Sequence, residues 1–208
     1  MDRFSILDLL LFPKGLYQRI TDKKLTLYLG ILFVGFIDMI FPIINRYSNL
    51  FEGKPQNIIT YNIVLACIFA VVIGFVDVLF FAFPVFDFMK LIRKVPAATN
   101  NGSLLTKVMK IYITVHFLII PFNVLLFYIF RNVNISTASQ ELIYFILLID
   151  ILLMPVWFSS ALVRGVNSIF RLDPIFKRLV FVGVLSWNYL LGYALDYVRV
   201  NWILVLFR

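Results

Sequence analysis

Cysteine, histidine and charge are all scarce in this chain. A single cysteine, Cys67, excludes an intrachain disulfide and leaves the redox compartment unreadable. A single histidine, His116, with no local motif around it or around Cys67, excludes a nucleophile pair and a Cys/His metal cluster written in the spacing. There is no G-x-S-x-G, no H-E-x-x-H and no Walker loop. The aspartates inside apolar runs also lack the glycine-flanked setting of aspartyl membrane proteases. The sequence therefore predicts no enzyme, no catalytic residue, no metal and no cofactor. Charged residues make up only 14% of the 208, which leaves too little polar surface for a soluble fold.

What fills the chain is apolar: 62% of its residues are hydrophobic. A soluble domain of this length has too much surface for its volume to hide that many apolar side chains, whereas a lipid solvent removes the problem. Crossing a hydrocarbon core of about 30 Å takes about 20 apolar residues in a helix. Five stretches qualify, at Leu25–Ile44, Ile58–Phe83, Ile111–Phe130, Leu142–Val163 and Leu179–Leu195. The fifth is short and can continue through Trp202 to Phe207, with Asp196 and Arg199 paired within it or at its edge. Backbone groups in lipid must find partners within their own segment, so all five are expected to be helical. The fold class predicted is an all-α integral membrane protein, a five-span helix bundle forming one domain over residues 1–208. Ile6–Phe12 is too short for a signal peptide and is followed by Pro13 and Lys14, so the first span is expected to act as its own insertion signal.

The net charge of +8 comes in short Lys/Arg clusters between apolar runs, the distribution of topology signals rather than of a nucleic-acid footprint. Arg3, Lys14, Arg19, Lys23 and Lys24 precede the first span. Lys90, Arg93, Lys94, Lys107 and Lys110 lie in the second connection, and Arg164, Arg171, Lys177 and Arg178 in the fourth. Against these fourteen, the other side holds Arg46, Lys54, Arg131, Arg199 and Arg208, which predicts a cytoplasmic N-terminus and an external C-terminus. Phe4–Phe12, Val85–Lys94 and Val166–Arg171 read as amphipathic helices on the inner leaflet. There Lys90, Arg93, Lys94, Arg171, Lys177 and Arg178 form a basic rim facing anionic lipid or an acidic partner surface. Ala97–Ser103 reads as a flexible loop.

Within the spans, Ala66, Ala70 and Gly74 step by four residues and present small side chains for close helix packing. Asp77 lies eleven residues beyond Ala66 on the same face. Asp150 relates to Ala161 in the same way, and Gly165 continues that line. Asp38 is the remaining mid-span acid, and His116 shares its helix face with Tyr112 and Asn123. Asp38, Asp77, His116 and Asp150 thus form the candidate intramembrane polar site, with Asp77 and His116 at matched depth and predicted to meet. They read either as a proton or cation path or as hydrogen-bonding residues that hold the bundle together. Pro121 and Pro155 are predicted to kink their spans.

In order and spacing, several patterns resemble the Yip (Ypt/Rab-interacting-protein) domain family in its bacterial form, from about Leu7 to Leu206. They are L-L-L-F-P-K-G-L-Y-Q-R-I at Leu9–Ile20, Asn101-Gly102-Ser103 ahead of the third span, Pro121 within it, and Pro155–Trp157 running into the basic connector Arg164–Arg178. The chain has only about 24 residues before its first span and lacks the D-L-Y-G-P motif of eukaryotic members, so Rab binding and Golgi trafficking are not carried over. The resemblance implies a non-enzymatic accessory or assembly factor of the bacterial cytoplasmic membrane, acting on a partner membrane complex such as an ABC transporter. The alternative is a small-solute or ion transporter, or a membrane substrate-binding component, using the buried acids and His116. A homo-oligomer stays open under either reading.

Overall fold

The computed structural model describes residues 6–92, 101–130 and 139–207. These residues are helical almost throughout and contain no strand. Five helices are long and apolar enough to cross a membrane: Lys24–Asn45, Gln56–Ile92, Asn101–Ile129, Gln140–Phe170 and Pro174–Leu206. Each covers one of the stretches read from hydropathy to within a residue, and four run well beyond it. In order, the elements are α1 (Ile6–Leu11), α2 (Lys14–Gln18), α3 (Lys24–Asn45), α4 (Tyr47–Leu50), α5 (Gln56–Ile92) and α6 (Asn101–Phe130). They continue with α7 (Gln140–Leu147), a π-helical segment (Leu148–Leu153), α8 (Met154–Phe170) and α9 (Pro174–Val198). A second π-helical segment (Arg199–Ile203) and a short 3-10 turn (Leu204–Leu206) complete the chain.

Three expectations for the connecting segments are corrected. Residues 85–92 are not a separate surface helix but the end of α5, with Val85, Phe86 and Met89 buried against the bundle. Val166–Phe170 likewise forms the last turns of α8, with Val166 and Phe170 buried. Asn101–Ser103, expected in a loop, opens α6; residues 97–100 of that loop lie outside the described residues. Residues 6–18 fold as a hairpin against α8: Asp8 pairs with Arg164, and Trp157 Nε1 donates to the Leu10 carbonyl at 2.6 Å. The chain turns at Phe12, whose φ is 59°, and returns through the fully buried Tyr17, whose hydroxyl donates to the Leu11 carbonyl.

The tightest packing is between α3 and α5. A Cβ added at Gly35 would collide with the Ala70 carbonyl oxygen, and one at Gly74 with the Ile31 carbonyl oxygen. The two backbones therefore touch. Lipid offers helices little hydrophobic drive to associate, so close approach through small residues supplies the contact. Ala70 and Gly74 form the α5 side of this seam, while Ala66 is only half-buried. Ala161 is fully buried, and a Cβ at Gly165 would press on Ile111 and the Tyr17 ring.

The fifth span has a second role, which follows from the chemistry of proline. A proline inside a helix has no N–H, so the carbonyl four residues earlier loses its donor. Pro42 frees the Asp38 carbonyl, which accepts from Arg199 Nη1 at 3.0 Å. Pro84 frees the Phe80 carbonyl, which accepts from Trp187 Nε1 at 2.9 Å. Pro155 frees the Ile151 carbonyl, which accepts from the Tyr189 hydroxyl. One helix and its π-helical extension thus cap three openings in three other spans. This explains how α5 runs unbroken through Pro84. It also yields a test. Trp187→Phe is expected to lower stability by about 1–2 kcal/mol by orphaning a carbonyl away from water. In a Pro84→Ala background, where residue 84 regains its N–H, the loss is expected to shrink. Melting of the four proteins in detergent closes this double-mutant cycle, and identical losses in both backgrounds would refute the capping role.

Candidate functional site

Four helical elements converge on one polar cluster. Asp38 comes from α3, Asp77 from α5, Tyr112 and His116 from α6, and Arg199 from the start of the second π-helical segment. The Tyr112 hydroxyl donates to Asp77 Oδ1 at 2.8 Å. His116 Nε2 lies 3.7 Å from Asp77 Oδ2, so the two residues matched by depth in the sequence do come together. His116 Nδ1 is 3.0 Å from the Tyr112 carbonyl oxygen, one turn earlier on the same helix. A carbonyl oxygen can only accept, so Nδ1 carries hydrogen. Arg199 Nη1 stands 4.0 Å from Asp38 Oδ1, while its Nη2 lies 3.2 Å from Asp196 Oδ1. Asp38 Oδ2 is buried and accepts no hydrogen bond from any described residue.

Aromatic rings hold this arrangement rigid. Phe81 stacks on Tyr112 with ring centroids 4.1 Å apart, and Phe158 meets the rings of Tyr112 and His116 edge-on at 5.6 and 5.0 Å. Such contacts fix ring orientation beyond simple area burial. They leave the ionisable atoms facing one another across a cavity of about 270 Å³, whose wall also includes Asn123, Asp150, Pro155 and Asn188. Ile37, Asp38, Asn123, Asp150 and Arg199 are shared with an adjoining hollow of about 520 Å³, which reaches Asn45, Arg46 and Asp196 where α3 ends. Along these two adjoining hollows the described residues supply four carboxylates, Asp38, Asp77, Asp150 and Asp196, against the two guanidinium groups of Arg46 and Arg199. Ionised carboxylates in an apolar surrounding are costly unless compensated, so the excess of acids favours a positively charged occupant.

The structure distributes the sequence-derived residues unevenly. Asp38, Asp77 and His116 form the cluster, their ligating atoms all within 4.8 Å of one another. Asp150 faces the same cavity but is exposed and stands outside that cluster, while Ala161, expected on its face, is fully buried. The π-helical turn between them explains the difference, because its wider winding shifts the phase on which an eleven-residue step depends. Arg199, expected to pair with Asp196 alone, also reaches Asp38. Both π-helical segments contribute a charged residue to the path, Asp150 from one and Arg199 from the other. Sequence signals for Arg199 existed: an arginine in the last apolar stretch, and a proline four residues after Asp38.

The basic rim has a different character. α5 and α9 run antiparallel, with Phe80 beside Trp187 and Phe88 beside Gly183, so Lys90 and the start of α9 share one end of the bundle. Arg171 and Arg178 are exposed and Lys177 is half-buried at that end; Arg93 and Lys94 lie outside the described residues. Lys90 pairs with Asp87 at 3.4 Å and sits over the Phe86 ring. Lys110, counted among the inner-side charges, is buried. It ties the α2–α3 connection to α6 by donating to the Thr21 carbonyl and Thr26 Oγ1, each at 2.6 Å.

No family model matches this chain, and no curated protein or solved structure matches it either, so the resemblance to the Yip family rests on the residue patterns quoted above alone.

Proposed function

We propose that this chain is a multi-pass membrane protein that takes a small cation into its intramembrane cavity and carries it across the bilayer. The observation that supports this most is the half-open path lined by four carboxylates and two guanidinium groups, ending on the buried Asp38–Asp77–His116 cluster. An inert bundle core would favour apolar contacts here, because buried acids cost stability without a compensating use. Charged residues inside spans, facing a cavity rather than lipid, commonly mark ion and substrate paths. Short π-helical turns occur often at working sites, and Asp150 and Arg199 both sit in one.

An accessory role on a partner membrane complex, which the Yip resemblance implies, would put the working surface on the basic rim instead. One experiment separates the two. Purified protein is reconstituted into liposomes holding a cation-responsive dye, with monovalent and divalent cations offered outside. Uptake well above protein-free vesicles is expected, with at least a tenfold loss in Asp77→Asn and no loss when Lys177 and Arg178 are both changed to Glu. No uptake of any cation, with cells tolerating Asp77→Asn but not the Lys177/Arg178 reversal, would overturn the transport reading in favour of the accessory one.

A further inference from the structure

The cluster at the closed end of the cavity has a donor set more specific than general negative charge. We infer that Asp38, Asp77 and His116 form a binding site for a single divalent transition-metal ion. The inference rests on the transport reading for its use, but its chemistry stands on the site alone.

Three atoms are left available, one from each residue, and each is backed by a partner on its other side. His116 Nδ1 is committed to the Tyr112 carbonyl, so in the neutral ring Nε2 presents a lone pair, and it does so toward Asp77 Oδ2 at 3.7 Å. Two electron-rich atoms facing each other repel unless a proton or a metal ion lies between them, and two such atoms beside a third acidic oxygen make a ready ligand set. Asp77 Oδ1 is occupied by the Tyr112 hydroxyl, which leaves Oδ2 for a ligand. Asp38 Oδ1 is the oxygen nearest Arg199, and Oδ2 is the buried oxygen that accepts no hydrogen bond. Metal-binding histidines characteristically donate their second ring N–H to a carbonyl or carboxylate, and ligating carboxylates are themselves hydrogen-bonded. Tyr112 serves two of the three ligands here, with its carbonyl on His116 and its hydroxyl on Asp77.

Distances fit with modest contraction. Two ligands on one metal at bond lengths of about 2.1 Å lie at most about 4.2 Å apart. The 3.7 Å between His116 and Asp77 is inside that limit, and the 4.8 Å outer bound of the cluster requires a shift of about half an ångström, within the reach of an Asp rotamer. The ligand types set the class of ion. An imidazole with two carboxylates suits Zn²⁺, Mn²⁺, Fe²⁺ or Co²⁺, whereas Ca²⁺ and Mg²⁺ favour oxygen-only shells. Asp150 and Asp196 along the path would draw such an ion inward, and Arg199 would limit the site to one ion by neutralising part of the acid charge.

Purified full-length protein in detergent, stripped with a chelator, is titrated with Co²⁺ and separately with Zn²⁺. About one equivalent per chain is expected, with Co²⁺ giving visible absorption bands of a nitrogen- and oxygen-ligated ion. His116→Gln and Asp38→Asn are expected to weaken binding at least tenfold, and Tyr112→Phe, which touches no metal, by about tenfold through its hold on Asp77. Melting curves establish that each variant is folded, and the wild-type titration is decisive even if one is not. No saturable Co²⁺ or Zn²⁺ binding by the wild type, or binding unchanged in folded His116→Gln and Asp38→Asn, would overturn the inference. Vesicle uptake of a monovalent cation without metal binding would sink the metal site and keep the transport reading. Stoichiometric metal binding without uptake of any cation would keep the site and sink transport.

Discussion

Gly35→Ala and Gly74→Ala are expected to cost about 3 kcal/mol each, at the upper end for overpacking a close contact. The physical reason is that the added Cβ meets backbone, not a side chain that could rotate aside: the Ala70 carbonyl in one case and the Ile31 carbonyl in the other. Relief requires α3 and α5 to separate along their length, which gives up the contact that small residues exist to make. Gly192→Ala is the matched control, because nothing lies within 4 Å of its added Cβ. There the gain in helix propensity, up to about 1 kcal/mol, goes unopposed. Asp150→Asn, a shape-preserving change at an exposed cavity position, is expected to be mild as well. Thermal melting in detergent ranks the four variants. A Gly35 or Gly74 variant as stable as the Gly192 variant would mean that the seam is looser than described.

Arg199→Met is expected to be the most damaging change in the polar cluster, at about 3 kcal/mol, because breaking a buried ion pair leaves its partner charge uncompensated. The guanidinium is the cation nearest Asp38, and it also caps the Asp38 carbonyl that Pro42 leaves without a donor. Removing it strands a carboxylate and a backbone oxygen together. Cavity access keeps the loss below that of a fully sealed pair, since both side chains retain 19% exposure. Adding Asp38→Asn should recover part of the loss by deleting the stranded charge, while the carbonyl stays open. Stability of the single and double variants measures the coupling. If the double variant loses the full sum of both single losses, Arg199 and Asp38 do not act as a pair.

The five long apolar helices were legible because hydropathy over about 20 residues is the property that defines them. Their ends were not. The second stretch was drawn only to Phe83, since nothing in the local sequence reveals that Trp187, more than a hundred positions later, would take over the Phe80 carbonyl. The meeting of Asp77 and His116 was legible from depth, which is a property of the membrane frame and survives without a tertiary structure. Asp150 lines the expected cavity but stands outside the three-residue cluster, because the π-helical turn that carries it departs from a uniform 3.6-residue winding. Arg199 was hidden by a nearer explanation: Asp196, three residues before it, looked sufficient as its partner, and the two are indeed 3.2 Å apart. A donor set drawn from three separate helices has no spacing to detect, so the sequence offered no sign of a metal site.

The capping of three proline-freed carbonyls by one helix also bears on biogenesis. The fifth long helix is synthesised after the other four, so the carbonyls of Asp38, Phe80 and Ile151 wait for Arg199, Trp187 and Tyr189 until it has been made. Each unsatisfied carbonyl in hydrocarbon costs several kcal/mol. The four-span intermediate is thus held short of completion until α9 leaves the ribosome, and docking of that last helix releases all three penalties together. A chain that stops before α9 is therefore expected to melt more readily than the full-length protein, with all three carbonyls left without these donors.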